Sequence, residues 1–133
     1  MTSADQRGEP RLDDGAFVGV LGDRTIGGDC FERVEFLGAP ASFPTSAMHA
    51  AAMLRRPVIF MAGLYRGANR YYVAFEELAD FSATTAEDRD AAVRVAIRRY
   101  AAALERYCRS DPYNWFNFFD FWHEPTAADE GRA

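Results

Sequence analysis

Two cysteines, two histidines and no long apolar run are what this 133-residue chain offers to three common kinds of chemistry. Cys30 and Cys108 lie too far apart for a CxxC or a metal-ligand spacing, so a thiol-redox pair and a cysteine zinc site are both excluded by pattern. Two isolated thiols of this kind are expected to stay reduced. No stretch reaches the roughly 18 apolar residues of a membrane span. The opening residues, Met1 to Arg11, lack the apolar core of a signal peptide. Excess positive charge is missing too: the net charge is −5. A general nucleic-acid binder needs cations to displace counterions from phosphates, and this balance argues against that partner.

What is present is an ordinary globular composition, 49% hydrophobic and 14% aromatic, enough for one domain with one modest core. Residues 1–11 read as a disordered leader and 124–133 as a disordered tail, with a single domain over 12–123 between them. Phe17-Val18-Gly19-Val20-Leu21 is a short apolar run that predicts a buried strand ending in the polar loop Gly22 to Asp29. Arg33 to Leu37 alternates, as a half-buried strand does, and Gly38 to Pro44, with its two prolines, reads as a turn. Thr45 or Ser46 can cap a helix reaching about Arg55, where Pro57 ends it. Val58 to Ala62 and Arg70 to Phe75 flank Gly67-Ala68-Asn69 as a hairpin. Thr84 with Glu87 and Thr85 with Asp88 have capping-box spacing before a long helix. Along that helix Val93, Ala96, Ile97, Tyr100, Leu104, Tyr107 and Cys108 share one face, and Asp90–Arg94 and Glu105–Arg109 have the spacing of ion pairs. The order predicts an α/β fold, a partial mixed sheet with flanking helices.

The run Asp111-Pro112-Tyr113-Asn114-Trp115-Phe116-Asn117-Phe118-Phe119-Asp120-Phe121-Trp122 is aromatic at seven of twelve positions. Neither an amphipathic helix nor an alternating strand has that pattern, and so much apolar surface must be buried or covered. Asn114 and Asn117 are candidates for amides that tie the segment down. The run resembles the C-terminal signature of predicted bacterial acyltransferases of the lysophospholipid acyltransferase superfamily, relatives of the acyltransferases of lipid A biosynthesis. The likeness extends to the arginine-rich helix before it (Asp88 to Arg109) and to the block Leu12 to Arg24, which contains Gly22-Asp23-Arg24. It also takes in Val34 to Pro44 and Pro57-Val58-Ile59-Phe60. It therefore covers nearly everything from Leu12 to Trp122.

The resemblance implies the C-terminal half of the glycerolipid or lipid A acyltransferase fold. The implied reaction moves a fatty acyl group from acyl-CoA or acyl carrier protein to a lipid-like hydroxyl, with no cofactor or metal, at the cytoplasmic face of the inner membrane. The family's defining pair is a histidine followed five positions later by aspartate or glutamate, because an alcohol needs a base to become a nucleophile. Here the residue five after His49 is Leu54, and five after His123 is Ala128. Both histidines are expected to be ordinary packed or surface residues, so no catalytic residue is assigned. A missing N-terminal half, supplied as another chain, would have to bring the pair. Asp23 and Arg24 are the candidate substrate-binding residues, an arginine at a strand end being suited to a phosphate or an oxyanion. Phe43-Pro44 is read as core packing, and the arginines of the long helix as a solvated face. The alternative function is a non-catalytic module that binds a partner or a membrane surface through its aromatic segment.

Overall fold

The computed structural model describes residues 12–24, 30–115 and 120–123. The expected leader and tail, the loop residues 25–29 and the stretch 116–119, which includes Asn117, lie outside the described residues. The chain forms β1 (Phe31–Phe36), β2 (Ala39–Pro44), α1 (Ser46–Met53), β3 (Pro57–Tyr65), β4 (Tyr71–Asp80) and α2 (Arg89–Ser110). Short 3-10 turns sit at Leu12–Asp14 and Pro112–Asn114. The α/β class holds. In place of a partial mixed sheet, the described residues form two separate antiparallel hairpins, β1–β2 and β3–β4.

The β1–β2 hairpin corrects the turn expected over Gly38 to Pro44. Only Leu37 and Gly38 turn, with φ of 52° and 88°, the paired left-handed residues of a type I′ connection. Pro40 then faces Glu35 and Pro44 faces Phe31 across the ladder. A two-stranded ribbon tolerates them because each strand has an edge where an absent N–H costs no ladder bond. Leucine in a left-handed conformation is strained by about 1–2 kcal/mol, and the structure holds it there. The Leu37 N–H donates to Glu105 Oε2 at 3.0 Å, while Arg109 donates to Glu105 Oε1 at 2.7 Å.

That double contact pulls the Glu105 carboxyl below its ordinary pKa, the Leu37 N–H being the larger cause and Arg109 the next. A carboxylate favoured in the folded state stabilises the fold above its ordinary pKa, and the contribution is lost as pH falls through the lowered folded value. Glu105→Gln keeps an oxygen for Leu37 but removes the charge. The variant should therefore unfold at lower urea than the parent at pH 7, with the gap closing toward pH 3. Equal midpoints at pH 7 would remove Glu105 from this role.

Phe17 to Leu21 is not the expected strand. Residues 16–21 are irregular, and Phe17 is 88% exposed. An apolar run becomes a strand only when a neighbour satisfies its backbone, and no described strand pairs with it. The helices were better placed. Thr45 stands at the N-cap of α1, although its hydroxyl donates to the Cys30 carbonyl at 3.1 Å instead of capping. Thr85 Oγ1 accepts the Asp88 N–H at 3.2 Å, closing the turn ahead of α2, not its first turn. Glu105–Arg109 forms as spaced, whereas Asp90 lies 3.9 Å from His49 of α1.

α2 carries the core. Its buried face, Val93, Ala96, Ile97, Ala101, Ala103 and Cys108, packs against α1 and both hairpins. From β1 and β2 come Phe36 and Phe43, from β3 and β4 Phe60 and Leu78, and from the C-terminal segment Phe121. Phe36 meets the rings of Phe43, Trp115 and Phe121 at 5.6, 5.4 and 5.3 Å, distances typical of favourable aromatic pairs. Phe43 is fully buried and Pro44 buried with it, so that pair is core. Val58 to Ala62 falls within β3, yet Ile59 and Met61 on its far face are exposed, so the strand is covered on one side only.

Candidate functional site

Gly22-Asp23-Arg24 forms a turn that lies against α2, not at the end of a strand as expected. Gly22 is needed for the approach: a Cβ there would sit 2.9 Å from Tyr100 Cζ. Tyr100 cannot easily retreat, because its ring packs edge-on against Phe43 at 6.0 Å and Phe60 at 5.7 Å. The close approach brings the Asp23 side chain, 19% exposed, into a partly dry setting. The Trp115 indole Nε1–H points to Asp23 Oδ2 at 3.5 Å, across 92 residues of sequence.

Two neighbours register the Asp23 charge. Burial raises the pKa of the Tyr100 hydroxyl far above the usual phenol range, and the Asp23 carboxylate adds to the rise. The Cys108 thiol is pushed up to about 11 by burial first, then by Glu105 and Asp23. Cys108 is thus a protonated core thiol, a poor nucleophile. Cys30 is exposed and unpaired with Cys108.

Arg24 faces outward, 54% exposed, with Nε 3.9 Å from Asp23 Oδ1. A guanidinium held this loosely by its neighbour keeps most of its donors for a ligand anion. Three arginines of α2 differ. Arg98 pairs with Glu32 at 3.5 Å, Arg106 with Glu76 at 2.6 Å, and Arg109 with Glu105. They line a shallow depression with Glu35, but each is matched by a carboxylate, so no net positive field is left for an anion.

Asp23 and Arg24 are therefore together, and the structure adds Tyr100 and Trp115, which the sequence suggested only as core and as part of an aromatic run. Asn114 ties its segment down as expected, its Oδ1 accepting the Tyr65 N–H at 2.6 Å. Asp111 fixes the same segment through Arg66 and Ser110. His49 is half-exposed beside Asp90, and His123 is exposed near the chain's last described turn. Among the described residues no three His, Cys, Asp or Glu side chains could hold a metal, and no helix is long and apolar enough to cross a membrane. Comparison with known proteins finds no matching family, no similar curated protein and no similar solved structure.

Proposed function

We propose that this chain forms part of a fatty acyl transfer unit of the lysophospholipid acyltransferase type, with Asp23 and Arg24 on the substrate side and the catalytic base supplied elsewhere. The observation that carries the reading is a convergence. Three segments that resemble the family separately, the Gly22-Asp23-Arg24 block, the arginine-rich helix and the aromatic run, meet where Gly22 touches Tyr100 and Trp115 reaches Asp23. A solvated loop with no packing partner would not need a glycine against a locked tyrosine.

In this reading the polypeptide bearing the His-x4-acid pair docks where the fold is uncovered, along the exposed Phe17, Val18, Val20 and Leu21. Its imidazole takes the proton of the acceptor hydroxyl. The oxygen attacks the thioester carbonyl of acyl-CoA or acyl carrier protein, the new ester C–O bond forms, and the C–S bond breaks. The imidazolium returns its proton to the leaving thiolate. Arg24 holds a phosphate or the developing oxyanion, and Asp23, steadied by Trp115, orients Arg24. Work beside the inner membrane fits this chemistry, the acceptor being a lipid.

The test begins with the transcript around this reading frame. An encoded His-x4-Asp or His-x4-Glu segment is coexpressed with the chain, and thiol release from acyl-CoA is followed with a membrane lipid extract as acceptor. Arg24→Ala and Asp23→Ala should each lower the rate at least ~10-fold, the order expected for one charge-stabilising contact. Thiol release unchanged in both variants would remove the site. Absence of any such segment, with the chain binding lipid vesicles unaided, would favour the non-catalytic binding module instead.

A further inference from the structure

In an antiparallel hairpin each residue turns its backbone N–H and C=O together, either toward the paired strand or away from it. The Arg66 N–H donates to the Arg70 carbonyl at 2.8 Å. By alternation from that pair, Leu64–Tyr72, Ala62–Ala74 and Phe60–Glu76 bond across the hairpin, and Tyr71, Val73 and Phe75 turn their backbone groups outward. Tyr65, opposite Tyr71, must do the same, and its N–H is indeed taken from outside the hairpin by Asn114 Oδ1 at 2.6 Å. Among the described residues nothing takes up those of Tyr71, Val73 and Phe75.

The other strands are guarded as edges usually are, by charge, proline or cover. β1 carries Glu32, Arg33 and Glu35, β2 carries Pro40 and Pro44, and Asn114 caps the end of β3. From Tyr71 to Phe75, β4 has no charge and no proline. Its side chains Tyr71, Tyr72, Val73 and Phe75 are between 48 and 69% exposed. The irregularity of the ladder falls at Val58/Ile59, beyond that stretch.

We propose that the open edge of β4 is a homodimer interface, to which β4 of a second copy adds antiparallel about a two-fold axis through Val73. Pairing across the edge selects that occupant. An axis there gives the outward N–H groups of Tyr71, Val73 and Phe75 the carbonyls of Phe75, Val73 and Tyr71 of the other copy. On one face Tyr71 stands opposite Phe75, and Val73 opposite Val73, aromatic and β-branched pairs of a favourable kind. On the other face Tyr72 stands opposite Ala74, large against small, and Arg70 opposite Glu76. Arg70 continues the ladder opposite Arg66, which puts it on the face of Tyr72, Ala74 and Glu76. It is exposed and has no ion pair among the described residues. Glu76 holds Arg106, and a carboxylate keeps lone pairs for a second arginine. Moving the axis to Ala74 would set Tyr71 and Tyr72 against Glu77 and Glu76 and leave Arg70 against the buried Leu78. Strand addition of this length makes a small, reversible interface carried by main-chain bonds. The inference is independent of the acyl-transfer reading.

The experiment is sedimentation equilibrium on the full chain over a concentration series, with Val73→Lys, Val73→Glu and an equimolar mixture of the two. The wild-type mass should rise toward twice the chain mass of 14.9 kDa. Each variant alone should weaken association roughly tenfold or more, by setting two like charges directly opposite at the axis. The mixture sets lysine opposite glutamate and should recover wild-type association, which damage to folding could not do. Arg70→Glu, facing Glu76, should weaken association as well. A monomer at all concentrations overturns the proposal and leaves the edge to a strand of a different polypeptide. A dimer indifferent to any of these single changes overturns it too, as does a mixture no better associated than its components.

Discussion

Replacing Phe36 by alanine is expected to cost about 3–5 kcal/mol, the range for removing a buried aromatic side chain from a core that closes only partly around the gap. The site gives little room to close. Phe36 has no exposed surface, and four rings stand around it, Phe43 of the paired strand and Trp115, Phe121 and Trp122 of the C-terminal segment. Their positions are fixed from elsewhere. Phe43 also packs on Tyr100 and Phe121, and Trp122 donates its indole N–H to the Phe36 carbonyl at 3.1 Å, a bond that alanine would keep. Small domains are stable by only about 5–15 kcal/mol in total, so the variant should lose much of its margin. Urea denaturation followed by circular dichroism measures the loss, and tryptophan emission should shift red as Trp115 and Trp122 gain water. Tyr113→Ala, at a side chain exposed on the surface, should stay within about 0.5 kcal/mol of the parent. Equal midpoints for Phe36→Ala and Tyr113→Ala would show that the aromatic segment does not dock on β1.

The sequence made α2 and the β3–β4 hairpin readable because their signals are local. Val93, Ala96 and Ile97 repeat at helical steps, and Gly67-Ala68-Asn69 supplies three left-handed residues where a hairpin must reverse. β2 was hidden by Pro40 and Pro44, which argue against a strand unless the strand has an open edge, and an edge is a property of the assembled sheet. Phe17 to Leu21 shows the converse. Its composition suits a strand, but strand formation depends on a neighbour that the described residues do not provide. Asp23 was found through Gly22-Asp23-Arg24. Its surroundings were not, because Tyr100 and Trp115 reach it only through the packing of α2 and the segment that follows. Tyr100 sat on the helix's apolar stripe and gave no sign that a loop would press on it. The two-sided apolarity of β3–β4 is legible as composition. Only the register separates the face beneath α2 from the one left open.

Gly22→Val should separate the loop from the core. The added Cβ would lie 2.9 Å from Tyr100 Cζ, and forcing it into place would cost about 1–3 kcal/mol of overpacking. Lifting the loop costs less, because residues 16–21 contribute nothing to the buried core. The loop is therefore expected to move while the domain stays folded, with a stability change of about 1 kcal/mol or less by urea denaturation. The larger effects lie at Tyr100 and Asp23. Tyr100 would gain water and lose the nearby carboxylate, the two causes of its raised pKa. Both losses favour the phenolate, so near-ultraviolet titration should show one tyrosine ionising at clearly lower pH than in the parent. Trp115 would lose Asp23 as an acceptor, and in the coexpressed acyl transfer assay the rate should fall as far as in Asp23→Ala. Gly19→Val is the matched control, since a Cβ there meets nothing within 4 Å, and it should leave the tyrosine titration where it is. If the two valine variants titrate alike, the loop does not rest on Tyr100, and the convergence that supports the acyl-transfer reading loses its structural basis.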